Sequence, residues 1–137
     1  MKHFFGICCL MLLSFSVFAQ NQHDRRFQRI EAAKIGYITE HLHLTPQEAE
    51  KFFPVYNQYR NEIRALYREK RQRIRSDMQK KQLNEIEFDA KIITCKKKYR
   101  EAFKKVISPA KASQFFVVER EFREQLFKEL QERRKRP

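Results

Sequence analysis

The residues whose types and spacing could do chemistry are few, and the most ordered of them are arginines. Arg60, Arg64, Arg68, Arg71 and Arg75 follow one another at spacings of 4, 4, 3 and 4, which sets all five along one side of a helix. Between Arg60 and Lys81 nine basic residues stand against three acidic ones. The row is either the solvated polar face of an amphipathic helix, its stems lying over apolar neighbours, or a surface that attracts acidic or amphipathic partners through planar guanidinium donors. On the second alternative these five are the candidate partner-binding residues.

Other chemistry is thinner. His41 and His43 stand two apart with Glu40 adjacent, while His23, Met78 and Cys95 are distant in sequence. Positions i and i+2 of a helix point apart, so the two histidines could share a metal only from a non-helical corner. Otherwise they are polar residues at a corner, and no metal ligand is assigned. Ser76, Ser108 and Ser113 lie in helix or cap contexts with no histidine beside them, and Gly36 is the only glycine beyond residue 19, so no phosphate-cradling loop exists. Glu85 and Glu87 fit the charge preference of a helix start better than an acid–base pair. No catalytic or cofactor-binding residue is expected, and the chain reads as a binder rather than an enzyme.

A stretch that occurs twice organises the elements around these residues. Leu44–Ile63, LTPQEAEKFFPVYNQYRNEI, returns 63 residues later as Ile107–Leu126, ISPAKASQFFVVEREFREQL. The copies share an aliphatic residue (Leu44, Ile107), a hydroxyl (Thr45, Ser108), a proline (Pro46, Pro109) and an alanine (Ala49, Ala112). Further on they share a phenylalanine pair (Phe52 and Phe53, Phe115 and Phe116), a valine, an aromatic and an arginine. A Thr or Ser N-cap accepts an orphan backbone N–H, and a proline at the first helical position has no N–H to leave unpaired. Thr45 with Glu48 completes a capping box, which Ser108 with Lys111 does not. Both copies therefore predict helix starts.

Repeated in a small, helical, charge-rich chain, this hydroxyl-capped start resembles the LTxxQ-motif Spy/CpxP group of periplasmic stress proteins. The likeness covers roughly Arg25 to Leu130. Glu48 stands where that group's motif has Gln, and the second copy reads Ile107-Ser108-Pro109-Ala110-Lys111. The resemblance implies a thin, bent, cradle-like antiparallel dimer with a concave face, working as an ATP-independent stress chaperone or a related adaptor. Relatives in the wider group include metal sensors, which makes metal sensing a further alternative.

Residues 1–19, MKHFFGICCLMLLSFSVFA, carry an early lysine, an apolar run and a small residue at Ala19, the layout of a cleavable signal peptide. The run is too short to span a bilayer comfortably. Export to the periplasm is the expectation. Loss of Lys2 would take the net charge from +13 to about +12. A cytoplasmic chain of this charge would suggest nucleic acid, but an exported one meets unfolded polypeptide, anionic envelope surface or a membrane regulator instead. Cys95, alone after the leader, is a buried apolar-face residue, an intermolecular bridge or a metal ligand.

The expected organisation is a polar arm at 20–25, an all-helical domain at 26–132 and a basic tail at 133–137. Apolar periodicity predicts four helices of about 17, 35, 22 and 25 residues, and no segment alternates like a strand. The second helix should bend near Pro54. The third should start at an Asn84 cap with Glu87, carrying Ile86, Ala90, Ile92, Ile93, Cys95, Tyr99, Phe103 and Val106 as apolar positions. The fourth should turn Phe115, Val118, Phe122, Leu126 and Leu130 inward. A second helix about 50 Å long would overhang its partners, and a second copy of the chain is the simplest cover for its stripe, so a homodimer is expected.

Overall fold

In the computed structural model, which describes residues 25–76 and 81–135, each copy of the repeated stretch opens a helix at its proline. The four helices are α1 (25–41), α2 (Pro46–Ser76), α3 (Lys81–Phe103) and α4 (Pro109–Lys135), and the described residues contain no strand. The chain is all-α, as expected. The expected export segment 1–19, residues 20–24 of the arm, Met78 and the last two residues of the basic tail lie outside the described residues. Residues 133–135 of that tail form the last turn of α4.

The chain divides into two units, one ending at Ile38 and one beginning at Thr39. The first is, in its described part, helical throughout (25–38), with Gly36 inside the helix.

The second unit begins with the end of α1. His43 N–H donates to the Glu40 carbonyl at 3.0 Å and Leu44 N–H to the Thr39 carbonyl at 3.0 Å, the two bonds of a Schellman stop. The left-handed position of that stop belongs to His43, at φ 48°. Two residues on, Thr45 N–H donates to Glu48 Oε2 at 2.9 Å and Glu48 N–H to Thr45 Oγ1 at 3.2 Å, the expected capping box. Ser108 Oγ accepts from Lys111 N–H at 3.3 Å, a cap without a box.

α2 runs through Pro54 without a break. Both Pro54 and Glu50, whose carbonyl the proline ring leaves unpaired, are exposed, so water can satisfy it. α2 and α3 lie antiparallel: Phe52 meets Phe103, Tyr59 meets Tyr99 and Arg73 lies over Phe88. Their buried positions, Phe52, Tyr56, Tyr59 and Ile63 against Phe88, Ile92, Cys95, Tyr99 and Phe103, follow one another at spacings of three or four, as in a helix–helix seam. α4 closes the core with Ala112, Phe115 and Val118. The Phe115 ring sits 4.8 Å from Phe103, 5.5 Å from Tyr59 and 5.6 Å from Phe52.

Three expectations are corrected. Asn84 is not a cap, because α3 already begins at Lys81; Lys, Gln and Leu are good helix formers that carry the helix back past it. Of the expected apolar positions of α3, Ile92, Cys95, Tyr99 and Phe103 are buried and Phe88 joins them, whereas Ile86 and Ile93 are 70% and 53% exposed, Ala90 is exposed too, and Val106 lies beyond the end of the helix. On α4, Leu130 is 46% exposed, and Phe122 and Leu126 are half-buried rather than inward. The helix that outruns its cover is therefore α4, since α2 is paired with α3 from Phe52 to Arg73.

Candidate binding surface

α2 sorts its cations by side. Those facing α3 are neutralised: Lys70 Nζ lies 2.6 Å from Asp89 Oδ1 and 4.0 Å from Glu85 Oε1, and Arg73 pairs with Glu69 at 3.3 Å while covering the Phe88 ring. Glu62 Oε2 accepts from Lys98 Nζ at 2.7 Å and from Tyr99 Oη at 2.9 Å. The donated hydrogen bonds, that from Lys98 above all, hold the Glu62 carboxyl below its ordinary range, and Glu62 in turn raises Lys98. Asp89 likewise raises Lys70.

The arginine row lies on another flank and divides in two. Arg60 and Arg64 are half-buried and engaged within the fold. Arg68, Arg71 and Arg75 are exposed and form no ion pair among the described residues. Their i, i+3, i+7 spacing stacks three guanidinium groups along about 10 Å of helix. Such a strip offers planar, bidentate donors to carboxylates and sits in water until something anionic arrives.

Between α2 and α3 an open groove of about 440 Å³ is lined by Glu62, Leu66, Glu87, Ala90, Lys91, Thr94, Cys95 and Lys98. Cys95 is free and buried. Burial, and secondarily the Glu62 carboxylate, push its thiol up to about 11, which leaves little thiolate at neutral pH. Deeper in, Tyr59 Oη donates to Glu119 Oε2 at 2.8 Å, tying α2 to α4 through a buried carboxylate. Desolvation and that neighbouring charge raise the Tyr59 phenol far above its usual range.

The motif residues build the corner rather than a reactive centre. Leu44, Ile107, Phe52 and Phe115 are buried, Phe53 and Phe116 are half-buried, and Thr45, Pro46, Ser108 and Pro109 hold the caps. Across the copies, Lys111 Nζ reaches Glu48 Oε2 at 2.7 Å and the His43 carbonyl at 2.8 Å, and Gln114 Nε2 donates to the His41 carbonyl at 3.3 Å. The backbone of His43 thus serves as the helix stop. Among the described residues no group of three or more His, Cys, Asp and Glu side chains is placed to hold a metal ion.

Sequence reasoning missed the cross-copy clamp, although its signal was present: the aligned copies carry opposite charges at one matched position, Glu48 and Lys111. It had no signal for the Tyr59–Glu119 bond, which joins residues 60 apart that share no pattern. None of the described helices is long and apolar enough to cross a membrane. Compared with models of protein families, with curated proteins and with solved structures, the chain matches none.

Proposed function

We propose that this protein is an exported, non-catalytic helical binder that holds non-native polypeptides without ATP, in the manner of the Spy/CpxP group. The observation that carries this is the exposed strip of Arg68, Arg71 and Arg75, with no ion pair among the described residues, on a chain that also leaves Ile86 and Ile93 exposed. Cationic strips speed encounter with acidic chains, and exposed apolar groups then give short-range contact, a combination suited to weak, non-selective holding. The repeated hydroxyl-capped helix start and the signal-like residues 1–19 support the family and the periplasm.

Light scattering tests it. The purified protein, added stoichiometrically to two unrelated aggregating proteins, suppresses the scattering of both at low salt and less so at moderate salt. The triple variant R68S/R71S/R75S keeps its thermal midpoint, because all three residues are exposed, and loses suppression. Full suppression by that variant overturns the assignment of the strip. Suppression of neither protein moves the function to a single-partner adaptor of a membrane regulator.

A further inference from the structure

The last four turns of α4 carry a second surface, with a different composition. Beyond Phe122 every described residue of α4 except Leu126 is exposed. Laid out at 3.6 residues per turn, Phe122, Leu126, Phe127 and Leu130 occupy one half of the helix circumference. They continue the stripe that Phe115 and Val118 bury higher up, and Phe127 and Leu130 stand 62% and 46% exposed. The same half holds every arginine between residues 120 and 135, whereas all four glutamates of that stretch, with Lys128 and Lys135, fall on the other half. At the edges, Arg120 and Arg133 are shared with Glu124 at 4.0 Å and Glu129 at 3.8 Å. Arg123 and Arg134, inside the apolar half, form no ion pair among the described residues.

From this segregation we infer that this half of α4, from Arg123 onward, docks an acidic amphipathic helix of another polypeptide, its carboxylates set among its apolar residues. Composition decides between occupants. A second copy pairing antiparallel through the same face, about a two-fold axis near residue 128, sets Arg123 against Arg134. An anionic bilayer accepts cations at the rim of an apolar face, but Arg123 lies between Leu130 and Phe127, so seating this face among acyl chains would carry a guanidinium in with it. A helix offering carboxylates among leucines meets both needs at once, with bidentate pairs to Arg123 and Arg134 and apolar cover for Phe127 and Leu130. This rests on the reading that the protein binds other polypeptides. It places an ordered, helix-shaped contact on α4, separate from the arginines of α2.

The test is fluorescence anisotropy with the purified protein and a labelled amphipathic peptide about five turns long, leucines on one face with glutamates among them, against a twin with lysine at every glutamate. The glutamate peptide binds and the lysine twin does not. R123S/R134S and F127S/L130S each weaken binding about tenfold or more, whereas R68S/R71S/R75S does not. Equal binding of the twin, or unchanged binding by both α4 variants, overturns the inference. So does flotation with mixed neutral and anionic phospholipid vesicles that R123S/R134S abolishes, or a dimer in sedimentation that the α4 variants convert to monomer. Peptide binding without suppression of aggregation removes the chaperone function and keeps this surface; suppression without peptide binding does the reverse.

Discussion

Glu48 and Lys111 occupy the same position in the two copies of the repeated stretch and pair with each other at 2.7 Å. Phe52 and Phe115, again equivalent, meet with ring centroids 5.6 Å apart. A position touching its own equivalent is the mark of pairing about a two-fold axis, so the two corners meet around a local one. Identical residues at 48 and 111 would repel there, and opposite charges turn the clash into a clamp. E48K and K111E should each lower the thermal midpoint. The double swap should recover only part of the loss, because a lysine at 48 restores the ion pair but cannot accept from Thr45 N–H. A double variant whose loss equals the sum of the two single losses would show that the two residues are not coupled.

Phe52 and Phe115 are fully buried at the centre of the aromatic cluster. Truncating either to Ala leaves a cavity bounded by rings from two other helices, which cannot all relax into it. Urea unfolding should give a loss of about 3–5 kcal/mol for each. Phe127→Ala, on the exposed part of α4, should stay within about 0.5 kcal/mol. A large effect at Phe127 would mean that this part of α4 is covered in solution.

How much of this was legible depends on distance along the chain. Thr45, Glu48, Pro46 and Pro109 act within one turn, so their caps could be read directly, and the spacing of Phe52, Tyr56, Tyr59 and Ile63 gave the inner face of α2. α3 carries two apolar stripes on opposite sides, Phe88, Ile92 and Cys95 on one and Ile86, Ala90 and Ile93 on the other, and periodicity alone does not say which of them the fold covers. Periodicity sets Leu130 on the face of Phe115 and Val118, but it reports which residues share a face, not where the covering helix ends. The division of the arginine row into half-buried Arg60 and Arg64 and exposed Arg68, Arg71 and Arg75 depends on the tertiary packing, which no local pattern encodes.

Two backbone positions hold residues suited to other places. Gly36 lies in a helix interior where an added Cβ would meet nothing within 4 Å, and His43 adopts the left-handed conformation at φ 48° that glycine adopts without strain. Gly36→Ala should stabilise by about 0.5–1 kcal/mol through helix propensity and a less disordered unfolded chain. His43→Gly should raise the midpoint too, by relieving the Cβ clash of a left-handed residue. A fall for His43→Gly would show that the imidazole holds the corner through a contact worth more than that strain.

Acid should weaken the fold in a defined window. Glu48, Glu62, Glu87 and Glu101 all have carboxyls held below 4.5, chiefly by hydrogen bonds from Lys111, Lys98, Lys91 and Lys104 respectively. A carboxyl depressed in the folded state contributes stability above its unfolded value and loses it as pH falls through the folded one. Urea midpoints should therefore hold from neutrality to about pH 4.5 and drop below it. E62Q should lower the plateau and flatten the drop. An unchanged slope in that variant would remove Glu62 from the acid response.

Cys95 should behave as a reporter of unfolding rather than as a reactive thiol. It is 3% exposed, and its ionisation is displaced from 9 to about 11, first by burial and then by Glu62. Thiolate is the reacting species, so a thiol reagent at mildly alkaline pH should label the native protein far more slowly than the urea-unfolded chain. The labelling rate should rise with urea in step with loss of helical circular dichroism. Because the folded state holds the proton more tightly, the thiol's contribution to stability is intact below pH 9 and fades as pH climbs toward about 11. Cys95→Ser leaves a similar shape but a hydroxyl in an apolar seam, and should destabilise, while Cys95→Ala should flatten the alkaline decline. Rapid labelling of native protein at neutral pH would show that the α2–α3 groove opens far enough to expose the sulfur.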